Sequence, residues 1–172
     1  YWAELGVSHV YCSPYLRARP GSKHGYDIID HDSINPEIGT RAELEEFSRA
    51  LSEHGLAQMM DIVPNHMGVL AADNAWWQDL LENGPASALA SFFDVDWQPP
   101  NEHLANRVLL PVLGDHYGVE LSGGKLVLEF EAAAGAFAVR YFAHRLPIDP
   151  REYPRILAPA VRELEGEGEE DR

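Results

Sequence analysis

Three things are scarce in this chain of 172 residues: cysteine, basic side chains and long apolar runs. The one cysteine, Cys12, leaves no partner for an internal disulfide, which fits a reducing compartment and makes a cytoplasmic location the expectation. Cys12 lies in the apolar run VSHVYCS and reads as a buried, inert thiol rather than a nucleophile. Thirteen Lys and Arg stand against 28 Asp and Glu, a formal net charge of −15. That balance disfavours a phosphate backbone and an anionic membrane surface, so neither a nucleic-acid nor a membrane partner is expected. The acidity reads mainly as solubility, part of it held in the tail by Glu163, Glu165, Glu167, Glu169, Glu170 and Asp171. No apolar run is long enough to span a bilayer, and there is no signal-peptide pattern. HExxH and paired CxxC motifs are also missing, so no metal and no cofactor are expected.

What is present suffices for one ordinary core, at 45% hydrophobic residues. VSHVYCS, residues 7–13, is short, apolar and β-branched and reads as a buried strand. A polar, Gly-containing stretch from Pro14 to Gly39 reads as a long functional loop. Thr40 with Glu43 three residues on forms a capping box. Leu44, Phe47 and Leu51 then give a helix one apolar face, and His54-Gly55 closes it. LAQMMDIV, residues 56–63, reads as a second buried strand. Strand, helix and strand make a parallel βαβ unit, whose ligand end lies at the C-terminal ends of the strands.

After residue 70 the character changes. NAWWQDLLENG reads as a helix stopped by Gly84-Pro85. VLLPVLG, GVELSG, KLVLEFE and FAVRYF read as short strands, the last two as an antiparallel hairpin. PIDPREYP reads as a connector and RILAPAVRELE as a last helix. YWAEL reads as the tail of a helix that begins upstream, so the chain is expected to be a fragment, inactive and marginally stable alone.

Polar residues gather at the ends of the two expected strands. DIVPNH places Asp61, Asn65 and His66 after the second strand. A carboxylate or amide there can hold a polar ligand or cap its own loop, and a lone His is more often a structural partner than a catalyst. KHGYDIIDHD, residues 23–32, adds His24, Tyr26 and Asp27. A phenol ring can stack on a sugar and a carboxylate can accept from its hydroxyls. Asp30 to Asp32 read as a loop network. Of the aromatics most read as core, but Trp76 and Trp77 are adjacent on a helix and cannot both face it, so Trp77 joins the candidates for a sugar groove.

DIVPNH resembles a signature of the alpha-amylase family of glycoside hydrolases. SPYLRARPGSKHGYDIIDHDSINPEIG, NAWWQDLLENGPAS, FFDVDW, RVLLPVLGDHYG and YFAHRLPIDP together resemble its malto-oligosyltrehalose synthases. The resemblance implies an α/β fold: part of a (β/α)8 TIM barrel (strands two and three, residues 1–70) with an α+β insertion, of B type, and an acidic segment over residues 71–172. It implies an isomerase that moves the reducing-end α-1,4 link of a maltodextrin to an α,α-1,1 link. The expected substrate is a malto-oligosaccharide, and a malto-oligosyltrehalose trehalohydrolase is a functional partner. The expected substrate-binding set is Tyr26, Asp27, His66, Asp61, Asn65, His24 and Trp77. Tyr26 would stack on the sugar, Asp27 would bond its hydroxyls or a neighbouring Arg, His66 would hydrogen-bond to the same sugar, and Asp61 and Asn65 would hold the loops in register. The family's catalytic nucleophile and general acid match no segment here, so no catalytic residue is expected in this chain. The alternatives are another glucanotransferase or hydrolase of the family, a non-catalytic glucan-binding module, and a metallohydrolase using His24, Asp30, His31 and His66.

Overall fold

The structure is a computed structural model that describes residues 1–69 and 73–170. It divides into two compact units, Tyr1–Asn74 and Ala75–Arg172.

The first unit opens on β1 (His9–Cys12) and returns to pair with β4 (Ala57–Met60) in parallel register, His9 beside Ala57 and Cys12 beside Met60. Between them runs α1 (Arg41–Glu53), as the apolar spacing of Leu44, Phe47 and Leu51 predicts, and Leu51 is its buried residue. Thr40 Oγ1 accepts from the Glu43 N–H at 3.3 Å while the Thr40 N–H donates to Glu43 Oε2 at 2.7 Å, so the capping box forms as read. His54 is the C-cap and Gly55 takes φ +68°, the left-handed turn that ends the helix and releases the chain into β4.

Two expectations for this unit are corrected. Pro14 to Gly39 is not a plain loop. It contains β2 (Leu16–Ala18) and β3 (Ile28–Ile34), an antiparallel, bulged pair with Leu16 opposite Ile34 and Ala18 opposite Ile28. Ala18, Ile28 and Ile29 from this pair form most of the unit's buried core. β3 escapes a pattern reading because Asp30, His31 and Asp32 interrupt its apolar run. Asp30 turns its carboxylate onto its own strand, taking the Asp32 N–H at 2.8 Å and the Ser33 hydroxyl at 2.5 Å. The expected polar network therefore exists, but within a strand. Secondly, the apolar strands are not covered on both faces. All four β4 residues are exposed and β1 alternates exposed with half-buried, because the β1–β4 pair is a two-stranded sheet among the described residues.

The second unit begins with α2 (Ala75–Asn83), which stops at Gly84-Pro85 as read, Gly84 taking φ +57° and a separate 3-10 turn following at Gly84–Ala86. Its sheet is antiparallel, β5 (Val127–Glu131), β6 (Ala136–Tyr141) and β7 (His144–Pro147) in that order. The β5–β6 hairpin is the expected one. β7 was hidden by its length and its terminal proline. GVELSG lies in α3 (Tyr117–Ser122), a helix and not a strand, and VLLPVLG forms no strand either. Six residues are too few for period to separate helix from strand. α4 (Tyr153–Glu170) closes the chain, longer at both ends than the helix expected over RILAPAVRELE. The expectation that the tail acids from Glu165 to Asp171 stay solvated falls outside the described side chains. Trp77, Leu80, Ala138 and Tyr141 make the buried apolar core. Arg145 braces it: its guanidinium meets Glu131 at 2.6 Å and Gln78 Oε1 at 2.9 Å, and the Gln78 amide returns to the Arg145 carbonyl at 3.3 Å. Glu120, 1% exposed, pairs with Lys125 at 3.0 Å.

Candidate functional site

The polar rim of the first unit is built on the C-terminal ends of β1 and β4. The Asp61 N–H donates to the Cys12 carbonyl at 3.0 Å, which extends the parallel pairing one step past β4 and fixes where the Asp61 carboxylate emerges. Onto that carboxylate converge two phenols. Tyr26 donates to Asp61 Oδ2 at 2.6 Å and Tyr11, from β1, donates to the same oxygen at 2.5 Å. Hydrogen bonds to an ionised acceptor run short and strong. They favour the carboxylate, so the Tyr11 and Tyr26 hydroxyls hold Asp61 below the usual aspartate value. The same bonds favour the protonated phenols. Tyr11 is pushed up to about 12, chiefly by its bond to Asp61, and Tyr26 is raised for the same reason.

Tyr26 is also fixed from its other side. Its ring stacks on His24 at 5.7 Å with 21° between the planes, and its backbone N–H donates to His24 Nδ1 at 3.0 Å. An Nδ1 that accepts a hydrogen bond carries no proton, which places the His24 proton on Nε2. Asp27 Oδ1 lies 3.8 Å from the same Nδ1, too far for a hydrogen bond. Asp27 instead accepts from the Ser22 hydroxyl, and Ser22 Oγ accepts the Gly25 N–H at 3.1 Å. The Ser22–Asp27 turn is thus closed on itself, with Gly25 at φ +77°. The Arg19 N–H donates to the Asp27 carbonyl at 3.1 Å, and the Gly68 N–H to the Ile28 carbonyl at 2.8 Å, which ties the loop after β4 to this turn.

Among the residues expected from sequence, Tyr26 and Asp61 are joined directly, and His24 and Asp27 flank Tyr26. Asn65 and His66 are exposed and pair with each other, His66 Nδ1 to Asn65 Oδ1 at 3.2 Å. The expectation for Trp77 is corrected. Trp77 is 8% exposed and packs on Phe93 in the interior of the second unit, with ring centres 5.1 Å apart. A covered indole offers no face to a sugar; of the adjacent pair, Trp76 is the half-buried one. Ser22 and Tyr11 were not anticipated. Ser22 carried a weak signal, its place in GSKHGYD. Tyr11 carried none, because its partner lies 50 residues away. Among the described residues no three His, Cys, Asp or Glu side chains gather as a metal would require, so His24, Asp30, His31 and His66 do not form the alternative ligand set. No helix among the described residues is long and apolar enough to cross a membrane.

The arrangement is a ring, a carboxylate and an imidazole held beside one another at a strand-end rim by hydrogen bonds and stacking. The sequence profile of the family described as alpha amylase, catalytic domain, matches residues 1–147. The chain belongs to the alpha-amylase family. A protein of Mycobacterium tuberculosis (strain ATCC 25618 / H37Rv) named as a maltooligosyl trehalose synthase is 45% identical over 115 residues, 66% of this chain and 14% of that protein. The solved maltooligosyltrehalose synthase of Arthrobacter ramosus superposes with a TM-score of 0.75 at 38% identity, covering 87% of this chain and 18% of that one. The maltogenic alpha-amylase of Bacillus acidopullulyticus is 34% identical over 95 residues, 55% of this chain and 15% of that protein. The chain therefore spans roughly a sixth of the length of these family members, and its mixed α/β structure is that of part of a TIM-barrel enzyme's catalytic domain.

Proposed function

We propose that this chain forms one wall of the sugar pocket of a malto-oligosyltrehalose synthase, and that the reacting carboxylates belong to other segments of the longer enzyme. The carrying observation is the convergence of Tyr26 and Tyr11 on Asp61 beside Asp27 and His24. Such a frame suits Tyr26 for stacking on a glucose ring, with Asp27 and His66 bonding its hydroxyls and Asp61 and Asn65 holding the loops. The first unit would supply strands two and three of the (β/α)8 barrel, and the second unit the insertion that follows strand three. Higher identity and coverage to the synthase-named relative than to the maltogenic amylase support rearrangement over hydrolysis.

In that rearrangement C1 of the penultimate glucose leaves O4 of the reducing-end glucose and bonds to O1 of the same residue. The O1 proton passes to O4, so no water is consumed. A trehalose-terminated product suits a malto-oligosyltrehalose trehalohydrolase as the next enzyme, in a cytoplasmic setting. The test incubates the longer parent protein with maltopentaose and follows reducing ends and free glucose together. Loss of reducing ends with little glucose carries the reading. A rise in reducing ends means hydrolysis and overturns it.

A further inference from the structure

We propose that Tyr11 is a positioning residue for this site, acting through Asp61 on Tyr26; the inference rests on the sugar-pocket reading above. An aspartate carboxylate turns about a broad, roughly two-fold torsion. Without Tyr11 the carboxylate would keep the Tyr26 hydroxyl and its own neighbour, the Ile62 N–H, and no donor from another strand, so the torsion would loosen and the phenol would move with it. The second donor comes from a different element. Tyr11 sits on β1, opposite Met59 in the parallel register, while the Asp61 N–H is tied to the Cys12 carbonyl. The backbone of Asp61 and the hydroxyl that holds its side chain are therefore both referenced to β1. Both phenols meet the same oxygen, Oδ2, which defines the rotation of the carboxylate and so the tilt of the Tyr26 ring stacked on His24.

Tyr11 is 63% exposed, so its ring contributes little to any core, and its hydroxyl donates to Asp61. A phenylalanine at this place keeps the ring and deletes only the donor. That separates a positioning role from a packing role, and it makes the prediction sharp: the effect of losing the Tyr11 hydroxyl must pass through the Tyr26 hydroxyl.

The experiment is a double-mutant cycle in the longer parent protein with maltopentaose, using Tyr11→Phe, Tyr26→Phe and the pair, with kcat, KM and melting temperature measured for each. Tyr11→Phe is expected to lower kcat roughly tenfold with a smaller change in KM, the size of effect a slightly misplaced group produces, and to leave melting nearly unchanged. In the Tyr26→Phe background it should have no further effect. Additive losses would mean that Tyr11 contacts the sugar independently, and wild-type kinetics for Tyr11→Phe would mean that the second donor is idle; either overturns the proposal. The functional reading fails separately, if the wild-type parent releases reducing ends. The cycle is then read on that hydrolysis, and where the parent turns over nothing, on maltopentaose affinity, with the same two outcomes deciding.

Discussion

Gly25 lies directly against Pro14: a Cβ built on Gly25 would sit 3.2 Å from the Pro14 carbonyl oxygen and 3.6 Å from its Cβ. The φ of +77° adds a backbone requirement to that steric one. Gly21 has nearly the same φ, +75°, with nothing within 4 Å of its would-be Cβ. Gly21→Ala should therefore cost only the left-handed backbone strain, about 1–2 kcal/mol. Gly25→Ala should cost more, and should also weaken maltopentaose binding, because Gly25 anchors Ser22 and through it Asp27. Paired melting and affinity measurements on the longer parent protein check both.

The Tyr11–Asp61–Tyr26 cluster sets a pH window. Asp61 is depressed below its ordinary 3.8 by the two phenols, so its contribution is present above that value and is lost as pH falls through the folded value. Tyr11 is raised from 10.0 to about 12, so its contribution is complete below 10 and disappears as pH rises toward 12. Tyr26 is raised in the same direction. Affinity for maltopentaose should be flat across the neutral range insofar as it depends on this cluster. It should decline at the acid end with Asp61 and at the alkaline end with the phenols. Asp61→Asn should abolish the acid limb that Asp61 causes, measured as affinity against pH.

Arg145 tests the second unit. Its fork reaches Glu131 and Gln78 at once, from a position 16% exposed. A lysine keeps the charge but loses the planar pair of donors. Arg145→Lys should destabilise the protein by about 1.5–3 kcal/mol, the range for hydrogen bonds to charged groups. Thermal or denaturant unfolding reads it, and an unchanged midpoint would show that lysine satisfies both partners.

Thr40→Ala removes the side-chain half of the capping box on α1. The expected loss is about 1 kcal/mol, seen in the same unfolding measurement.

What could be read from residues alone was what local chemistry decides. Thr40, Glu43 and Gly55 carry their own boundary signals, and DIVPNH and GSKHGYD announced the rim. The misses come from non-local causes. β3 is a strand in spite of Asp30, His31 and Asp32, because pairing with β2 outweighs its polar interruptions. Tyr11 looked like an ordinary strand residue, since only the folded chain brings its hydroxyl to Asp61. Trp77 and Trp76 are indistinguishable in sequence, and packing on Phe93 decided which one turns inward. The burial of β4 was misjudged because an apolar run predicts a cover without saying which segment provides it.

That last point reaches beyond recognition of sugars. Met59, Met60 and Ile62 are exposed side by side with the unpaired edges of the β1–β4 pair, and no third strand flanks that pair among the described residues. Free strand edges bordered by apolar side chains are templates for another chain's backbone. Produced by itself, this stretch would tend to self-associate through those edges, and the concentration at which it is handled, as much as its intrinsic folding free energy, would govern whether it stays monomeric.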